Sequence, residues 1–590
     1  MYQIGLEDIK VKRVKGEPIT DALDPHSCFS NEMTLSVYTW MKMYIMCGSN
    51  PEDRDEMRDV SIAIAKTFRD DPVHISEHGT FSKKFQESAP YHYFLSTVDP
   101  SKKTHQQPLS VHFHEIIDYT EGIIVESFHI NFMVEISWIL NEYMLACQDP
   151  KMTILYGTLV DAKFMYDIPF DVELQQCKMP EFGCHHSKIS ILKYDDNSVR
   201  IIISSANLYA QDWHGRTQGL WISPRLPYLP ASAEDSEGES TTNFKHDIIQ
   251  YLSCYSEPQV LGWISLLYRI DFSAVNVFFI GSVPGYHEGP NLNLWGHLKL
   301  KKILSEHVIL PENSKDWTVI AQSSAVGVYG SYYQRWLKSH IVQPMSQGKL
   351  NLPRTPPFKF IYPTQRSYNN SYDSKLGVTC LMYNKDSHMN QKWIKDYLCD
   401  WKSDSTSRTK AMPHIKCYTR LSPDESEVLY FLSTSANLSK GAWGKMLRKD
   451  TIQYLANYEA GVLFIPQIMI QRSTFPVMES AFTEAPIFKL PFDLPLTPYQ
   501  TDDEPFVIIR CQDARLAVEI DHHIYEKHPT AINIFMGKVP SCREYHRNDF
   551  DDIDYDDDED HDDDSSLDDS HECDYDLEEI DRKFCEAFEC

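Results

Sequence analysis

The sequence predicts an α/β protein built from two similar halves that meet at one site. Two observations carry this. From about Pro90, strand-like apolar runs alternate with helical patterns, as in Lys151–Tyr156, Val199–Ser204 and Val275–Ile280. A short arrangement of polar residues also occurs twice, about 230 residues apart.

The repeat is the more informative of the two. His186-Ser187-Lys188 is followed by a strand-like run and then Ser204-Ser205-Ala206-Asn207. His414-Ile415-Lys416 is followed by a strand-like run and then Thr434-Ser435-Ala436-Asn437-Leu438-Ser439. The His-to-Asn separations are 21 and 23 residues. In a strand, side chains i and i+2 share a face, so each H-x-K sets an imidazole beside an ammonium. A Ser-x-Asn turn after the next strand returns an amide to the same edge. Two halves then supply two imidazoles, two ammoniums and two amides around one point. A single H-x-K is usually a solvated strand edge; its recurrence with the same downstream turn points instead to chemistry. Lysines and amides can hold non-bridging oxygens as charge builds on a five-coordinate phosphorus. One neutral histidine can attack while the other, protonated, serves the leaving oxygen. An unperturbed pKa of about 6.5 lets histidine do both. No metal is needed for such a step.

Outside the repeat, Met33–Tyr44 and Met57–Phe68 read as helical within an N-terminal extension, residues 1–86, of unknown role. The Ser/Glu/Asp-rich run Ala231–Thr242 and the Asn/Ser/Tyr-rich run Ser367–Ser374 read as surface insertions. Residues 548–590 read as an acidic low-complexity tail without a core of its own. From residue 549 on, 22 Asp and Glu face only Arg582 and Lys583. That stretch holds most of the chain's net charge of -29 and leaves the rest near -9. A mildly acidic body can still carry a basic groove, so the charge balance does not decide for or against nucleic acid. With 42% of residues hydrophobic, 590 residues suffice for more than one core. No leader-like segment opens the sequence and no apolar run is long enough to span a bilayer, so no membrane association is expected. The 14 cysteines form no CxxC pair. Cys184 beside His185 and His186 makes a metal-like corner, but no second ligand pair follows at zinc spacing. Reduced thiols in the cytosol or nucleus are the simplest reading. His185 and His214 read as packing or hydrogen-bonding residues.

These motifs resemble the phospholipase D superfamily, whose pattern is H-x-K-x4-D followed by G-S-x-x-N. The aspartate position holds Lys193 in the first copy and Leu421 in the second. That departure resembles the tyrosyl-DNA phosphodiesterase branch. Ala411-Met412-Pro413-His414-Ile415-Lys416, the run Ser435–Gly444 and Gly461–Pro466 are similar to that family. So are Asp212-Trp213-His214 with Thr217-Gln218-Gly219, and Trp295-Gly296-His297 before Lys299, Lys301 and Lys302. The resemblance runs from about Pro90 to about Ser541.

It implies two pseudo-symmetric phospholipase D-like halves, residues 87–273 and 274–547, each a mixed β-sheet sandwiched by α-helices. It implies hydrolysis of 3′-phosphotyrosyl and other 3′ end-blocking adducts. His186 would be the nucleophile, His414 the general acid and base, and Lys188, Lys416, Asn207 and Asn437 the phosphate ligands. Gln218 and Glu459 match positions that orient the imidazoles, without indicating which serves which. Phe182 fits a base-stacking position, and Ser323, Ser324 and Ser439 fit positions that hold DNA phosphates. Phe132 stands where the family often has tyrosine, and Ala456-Asn457-Tyr458 also depart from the pattern. Neither cofactor nor metal is implied. The implied partners are the 3′ ends of single- and double-stranded DNA, with a topoisomerase I-derived peptide as leaving group. The implied state is a monomer in the nucleus, with the cytoplasm as a second compartment.

Two alternatives stand beside this reading. One is another phosphodiesterase or nuclease of the superfamily, against which the missing aspartates speak. The other is a catalytically silent DNA-end scaffold, which has no need of six intact His, Lys and Asn residues. The tail yields a prediction of its own. A segment of net charge -20 competes with DNA for a basic groove at low salt, and screening weakens that competition. Deleting residues 549–590 is expected to raise DNA affinity mainly at low ionic strength. Fluorescence anisotropy with a labelled oligonucleotide reads it, and identical low-salt affinities would refute it.

Overall fold

The halves are legible in the strand order. The computed structural model describes residues 75–160, 171–180, 183–234, 236–349, 355–479 and 484–508. In the first half the strands are β1 (Tyr93–Ser96), β2 (Ser110–Val111), β3 (Ile124–Val134), β4 (Lys151–Leu159), β5 (Val172–Gln176), β6 (Ile189–Tyr194), β7 (Ser198–Ser204), β8 (Gly219–Ile222) and β9 (Leu226–Pro227). They form one sheet in the order β2-β1-β8-β7-β6-β3-β4-β5, with β9 beside β7. In the second half they are β10 (Phe278–Ser282), β11 (Gly285–Glu288), β12 (Thr318–Gln322), β13 (Phe358–Ile361), β14 (Leu398–Asp400), β15 (Lys416–Leu421), β16 (Glu427–Thr434), β17 (Lys445–Leu447), β18 (Ile452–Leu455), β19 (Glu459–Phe464), β20 (Phe475–Pro476) and β21 (Thr497–Pro498). Their main sheet runs β10-β19-β16-β15-β12-β13-β14-β21, and β11, β18 and β17 form a small separate sheet.

The run β1-β8-β7-β6-β3-β4-β5 therefore corresponds strand for strand to β10-β19-β16-β15-β12-β13-β14. The pairing senses agree as well: four antiparallel contacts and then two parallel ones in each half. A mixed sheet with this repeated order is what a duplicated half predicts. The parallel steps need crossovers, and Ile136–Leu145 supplies the one between β3 and β4.

Side-chain alternation makes the first sheet two-faced. Ile201, Ile203, Phe128 and Ile130 belong to the core shared with the second half, which also holds Val319, Phe431 and Phe464. Ile202, Leu192, Met152 and Ile154 face a second core on the other side of the sheet. Phe81, from the helix Thr80–Glu87, is fully buried in that second core with Phe94 and Val111. The helix Thr80–Glu87 thus packs into the outer core of the first half. Residues 1–74 and the acidic tail lie outside the described residues. The run Ser367–Ser374 is not a surface loop: it lies across helices Gln365–Asn369 and Tyr372–Leu376 and buries Asp373 completely. Among the described residues no helix is long and apolar enough to cross a membrane.

The two halves are joined by aromatic packing and by a buried arginine. Tyr93 of β1 packs edge-on against Phe431 and Phe464. Arg408 of the second half, 1% exposed, donates to Ser96 O through Nε (3.1 Å) and Nη2 (2.8 Å), to Ser110 Oγ (2.8 Å) and to Gln107 Oε1 (2.7 Å). All of these acceptors belong to the first half. Removing the guanidinium strands several buried acceptors at once. Arg408→Ala is expected to destabilise the protein by roughly 3 kcal/mol, read as a lower midpoint in urea; an unchanged midpoint would show that the halves do not depend on this clamp.

Candidate active site

Equivalent strands deliver equivalent residues. His186 and Lys188 lie just ahead of β6, and His414 and Lys416 lie at the start of β15. Asn207 follows β7 and Asn437 follows β16. Gln218 directly precedes β8, and Glu459 opens β19. The two spacings, 11 residues from Asn207 to Gln218 and 22 from Asn437 to Glu459, differ because the second half inserts β17 and β18 there.

The H-x-K segments are not strand interiors, as the i, i+2 argument assumed. The histidine side of each pairs with the opposite half, while Lys188 O accepts from the Ser204 N–H at 3.1 Å and Lys416 pairs with Thr434 in its own half. The His186 N–H donates to Tyr458 O at 2.9 Å and the Tyr458 N–H to Cys184 O at 3.0 Å. The related contacts are the Thr217 N–H to Met412 O at 3.0 Å and the Ile415 N–H to Thr217 O at 2.8 Å. These short parallel bridges, His185 with Tyr458 and Thr217 with Pro413, set both histidines on the seam.

The side chains cross the same seam. His186 Nδ1 is 2.8 Å from Glu459 Oε2. His414 Nδ1 is 3.1 Å from Gln218 Oε1. Each imidazole is therefore oriented by the other half, which answers the question the sequence left open. Serines of the two repeats hold the orienting groups: Ser205 Oγ donates to Gln218 Oε1 (2.8 Å) and Ser435 Oγ to Glu459 Oε2 (2.5 Å). Gln218 Nε2 donates to Asp212 O at 3.0 Å, which fixes the amide with its oxygen toward His414. Asn457 Nδ2 donates to Glu459 Oε1 at 3.1 Å while Asn457 Oδ1 accepts from the Cys184 N–H at 3.2 Å. The departure noted before Glu459 is thus a working brace. With Nδ1 of both rings committed as donors, Nε2 of each ring is left for chemistry.

The phosphate-type groups surround these rings. Lys188 Nζ donates to His186 O at 2.6 Å, and Lys416 Nζ donates to His414 O. Asn437 Oδ1 accepts from the Ala325 N–H (3.0 Å) and Ser324 Oγ (3.2 Å), so its NH2 end is the end available to an oxyanion. Asn207 Oδ1 accepts from the Met133 N–H at 3.4 Å. Ser323 and Ser324 are buried, with Ser323 Oγ donating to Ala325 O at 2.8 Å and accepting from the Leu438 N–H at 3.2 Å. Both serines brace the Asn437 turn. Ser439 caps the turn Lys440–Trp443, accepting from the Ala442 N–H at 3.3 Å. Phe182 lies outside the described residues. Phe132 packs its ring 5.5 Å from the His186 ring, with Lys188 Nζ 5.5 Å from its centroid. Gly157 lies beneath it, where a Cβ would come within 2.9 Å of the Phe132 ring.

Burial dominates the electrostatics. It pushes Lys188 down to about 8. Burial and repulsion from Lys188 push Lys416 down to about 7. His186 is lowered by burial, with Glu459 opposing that shift. His414 is lowered well below the ordinary histidine value by burial, then by Lys416, Arg216, Lys188 and His186. Burial works to raise Glu459, but the neighbouring His186 and Lys188 outweigh it and leave the carboxylate below its usual range. A set of cationic groups whose protons are all held loosely awaits an anion, whose charge reverses each of these shifts.

Three residues to which the sequence reading gave no role also shape the site. Asp212 Oδ2 stands 3.3 Å from His414 Nδ1, and the serines ahead of each Ala-Asn brace the orienting groups. The serines were visible as a repeated Ser at equal offsets; Asp212 was visible only as part of the Asp212-Trp213-His214 motif, with no counterpart in the second copy to indicate a role. His185 is a packing residue, with Nε2 3.2 Å from Tyr255 Oη. Burial pushes the Cys184 thiol up to about 12, as suits an inert cysteine. Asp99, His112 and His214 bring possible metal-ligating atoms within 4.8 Å of one another. Trp138 Nε1, however, donates to His214 Nε2 at 3.0 Å, which puts the ring proton on Nδ1, 3.1 Å from Asp99. That geometry suits a hydrogen-bonded cluster better than a metal ligand.

Comparisons with known proteins identify the family. A family model described as tyrosyl-DNA phosphodiesterase matches residues 92–500. Tyrosyl-DNA phosphodiesterase 1 of Drosophila melanogaster is 43% identical over 461 residues, covering 75% of this chain and 78% of the relative. A probable tyrosyl-DNA phosphodiesterase of Caenorhabditis elegans is 31% identical over 392 residues, covering 65% and 81%. The crystal structure of the yeast enzyme superimposes with a TM-score of 0.55 at 23% identity, covering 71% of this chain and 99% of that one. With the matched region spanning both halves and all eight site residues, the chain belongs to the tyrosyl-DNA phosphodiesterase family.

Proposed function

We propose that the protein is a DNA-repair hydrolase that removes tyrosyl and other blocking groups from 3′ ends of DNA through a phosphohistidine. The observation that carries the mechanism is the crossed pair of imidazoles, each with Nδ1 held and Nε2 free. His186 Nε2 attacks the phosphorus and the bond to the tyrosyl oxygen breaks. His414 gives its Nε2 proton to that oxygen. The resulting His186–phosphate carries a positive ring, which Glu459 at 2.8 Å stabilises. His414, now neutral, takes a proton from water; the hydroxide attacks phosphorus, the N–P bond breaks, and a 3′-phosphate leaves. Lys188, Lys416, Asn207 and Asn437 hold the non-bridging oxygens throughout. The incoming phosphodiester raises the proton affinity of the buried His414, so binding loads the acid that the first step consumes.

The substrates on this reading are the 3′ ends of single- and double-stranded DNA, with a topoisomerase I-derived peptide as the leaving group. Ser439 would contact the DNA strand beside the site. The protein would act as a monomer in the nucleus.

Two experiments test the mechanism. Because lysines and amides take the place of a divalent ion, cleavage of a 3′-phosphotyrosyl oligonucleotide is expected to survive EDTA; loss in chelator restored by magnesium would defeat it. The histidines are expected to fail differently. His186→Ala should lose about a thousandfold or more in turnover and trap no DNA, since it forms no covalent bond. A phenol leaves with a pKa of about 10, so attack continues slowly without an acid. Hydrolysis then lacks its base, and His414→Asn should accumulate protein joined to DNA. A denaturing gel of 5′-labelled DNA shows the shifted band; its appearance with His186→Ala alone would reverse the roles.

A further inference from the structure

The two imidazoles are related by the pseudo-twofold, but their supports are not alike. His186 Nδ1 meets a carboxylate directly, Glu459 at 2.8 Å. The equivalent partner of His414 is the amide of Gln218. A carboxylate is present there too, but set to the side: Asp212 Oδ2 is 3.3 Å from His414 Nδ1, and Asp212 is fully buried. The same oxygen accepts from the Asn207 N–H at 2.8 Å. The other oxygen, Oδ1, is 2.7 Å from Arg216 Nη1. Arg216 Nε is in turn 3.0 Å from Asp373 Oδ2, on a helix of the second half, and Gln211 Nε2 donates to Asp373 Oδ1 at 3.1 Å. A buried chain of charges, minus, plus, minus, therefore leaves the His414 ring, passes through the first half and returns to the second at Asp373.

We infer that Asp212 is a positioning residue for His414, setting how firmly that ring holds its proton, and that Arg216 and Asp373 are the counterweight that limits its pull. The asymmetry matches what each histidine does on the function proposed above, on which this inference rests. A nucleophile gains a fixed positive charge when its N–P bond forms, and a directly bonded carboxylate stabilises that state. A general acid must surrender its proton in the first step. A full carboxylate on Nδ1 would hold the proton too firmly, and an amide alone, among Lys416, Lys188, Arg216 and His186, would hold it too loosely. Asp212, half-neutralised by Arg216, lies between these extremes. Besides burial, the groups that lower the ring's proton affinity most are all cations: Lys416, Arg216, Lys188 and His186. Asp212, with a carboxylate oxygen 3.3 Å from Nδ1, is placed to favour the protonated ring against them.

The test is the pH dependence of covalent-adduct formation in single turnover with two 5′-labelled oligonucleotides. One carries 3′-phosphotyrosine and the other a 3′-(4-nitrophenyl phosphate), whose far more acidic phenol leaves without a proton. Asp212→Asn is expected to shift the alkaline limb for the tyrosyl substrate about one pH unit or more to acid, and to leave the nitrophenyl substrate nearly unchanged. Arg216→Gln is expected to shift the same limb to alkali. Asp373→Asn, remote from the ring, frees Arg216 and should shift it to acid, which keeps the inference open to test if the Asp212 variant does not fold. Equal losses on both leaving groups at every pH would show merely structural damage and overturn the inference. So would shifts of the same sign for Asp212→Asn and Arg216→Gln. If the unaltered protein forms no adduct with either substrate, the underlying mechanism fails instead.

Discussion

Every feature of the site depends on one constraint: each imidazole is oriented by an acceptor from the opposite half. Glu459 at 2.8 Å serves His186, and Gln218 at 3.1 Å serves His414. The backbone bridges of His185 with Tyr458 and Thr217 with Pro413 bring the same segments together, so the crossing is built into the chain path and not left to side-chain rotamers. A half standing alone would present an imidazole with no acceptor for its Nδ1 and an acceptor with no imidazole. Satisfying these groups requires the seam. Function and association of the halves are in this sense the same physical requirement. The Arg408 clamp and the Tyr93–Phe431–Phe464 packing lock the seam from its periphery.

The seam also explains the electrostatics. Bringing two H-x-K segments together concentrates four basic side chains in a buried volume with Glu459 and Asp212 as the nearest carboxylates. Burial holds Lys188 at about 8 and Lys416 at about 7. Such a site binds a phosphodiester well because the anion supplies the charge that burial has withheld. The same anion readies the acid. Recognition and proton loading are thereby coupled without a metal ion having to organise them. Phe132 adds an apolar wall beside the nucleophile, and Gly157 makes room for that wall.

Much of this was legible in the sequence because duplication writes function twice. The two H-x-K segments and Ser-Ala-Asn turns named six of the site residues, and the alternation of strand and helix patterns named the fold. The family resemblance brought Gln218 and Glu459, which lie at equivalent strand starts despite unequal spacing. The crossing itself was not legible. It depends on which strand end faces which, and nothing local in Gln218 or Glu459 encodes that. The H-x-K segments looked like strands because their alternation is right, yet only their lysines pair within their own half, while the histidine side of each segment bonds to the other half. Ser367–Ser374 looked like a loop because Asn and Ser dominate it; burial of Asp373 against Arg216 is a tertiary event that composition does not register. Asp212 stood in a motif that the resemblance singled out, but its role was not legible: the equivalent helix of the second half has Ala442 at that offset from its asparagine, so the repeat gave Asp212 no counterpart.

The crossed orientation is tested most directly by separating the two chemical steps in variants of the orienting residues. Single-turnover reactions with a 5′-labelled 3′-phosphotyrosyl oligonucleotide, quenched over time and resolved on a denaturing gel, measure adduct formation and adduct decay independently. Glu459 acts through His186, so Glu459→Ala is expected to slow adduct formation and leave little adduct standing. Gln218 acts through His414, so Gln218→Ala is expected to leave formation less affected and to slow decay, building up the protein–DNA band. The reverse pattern, with adduct accumulating in Glu459→Ala and failing to form in Gln218→Ala, would contradict the account.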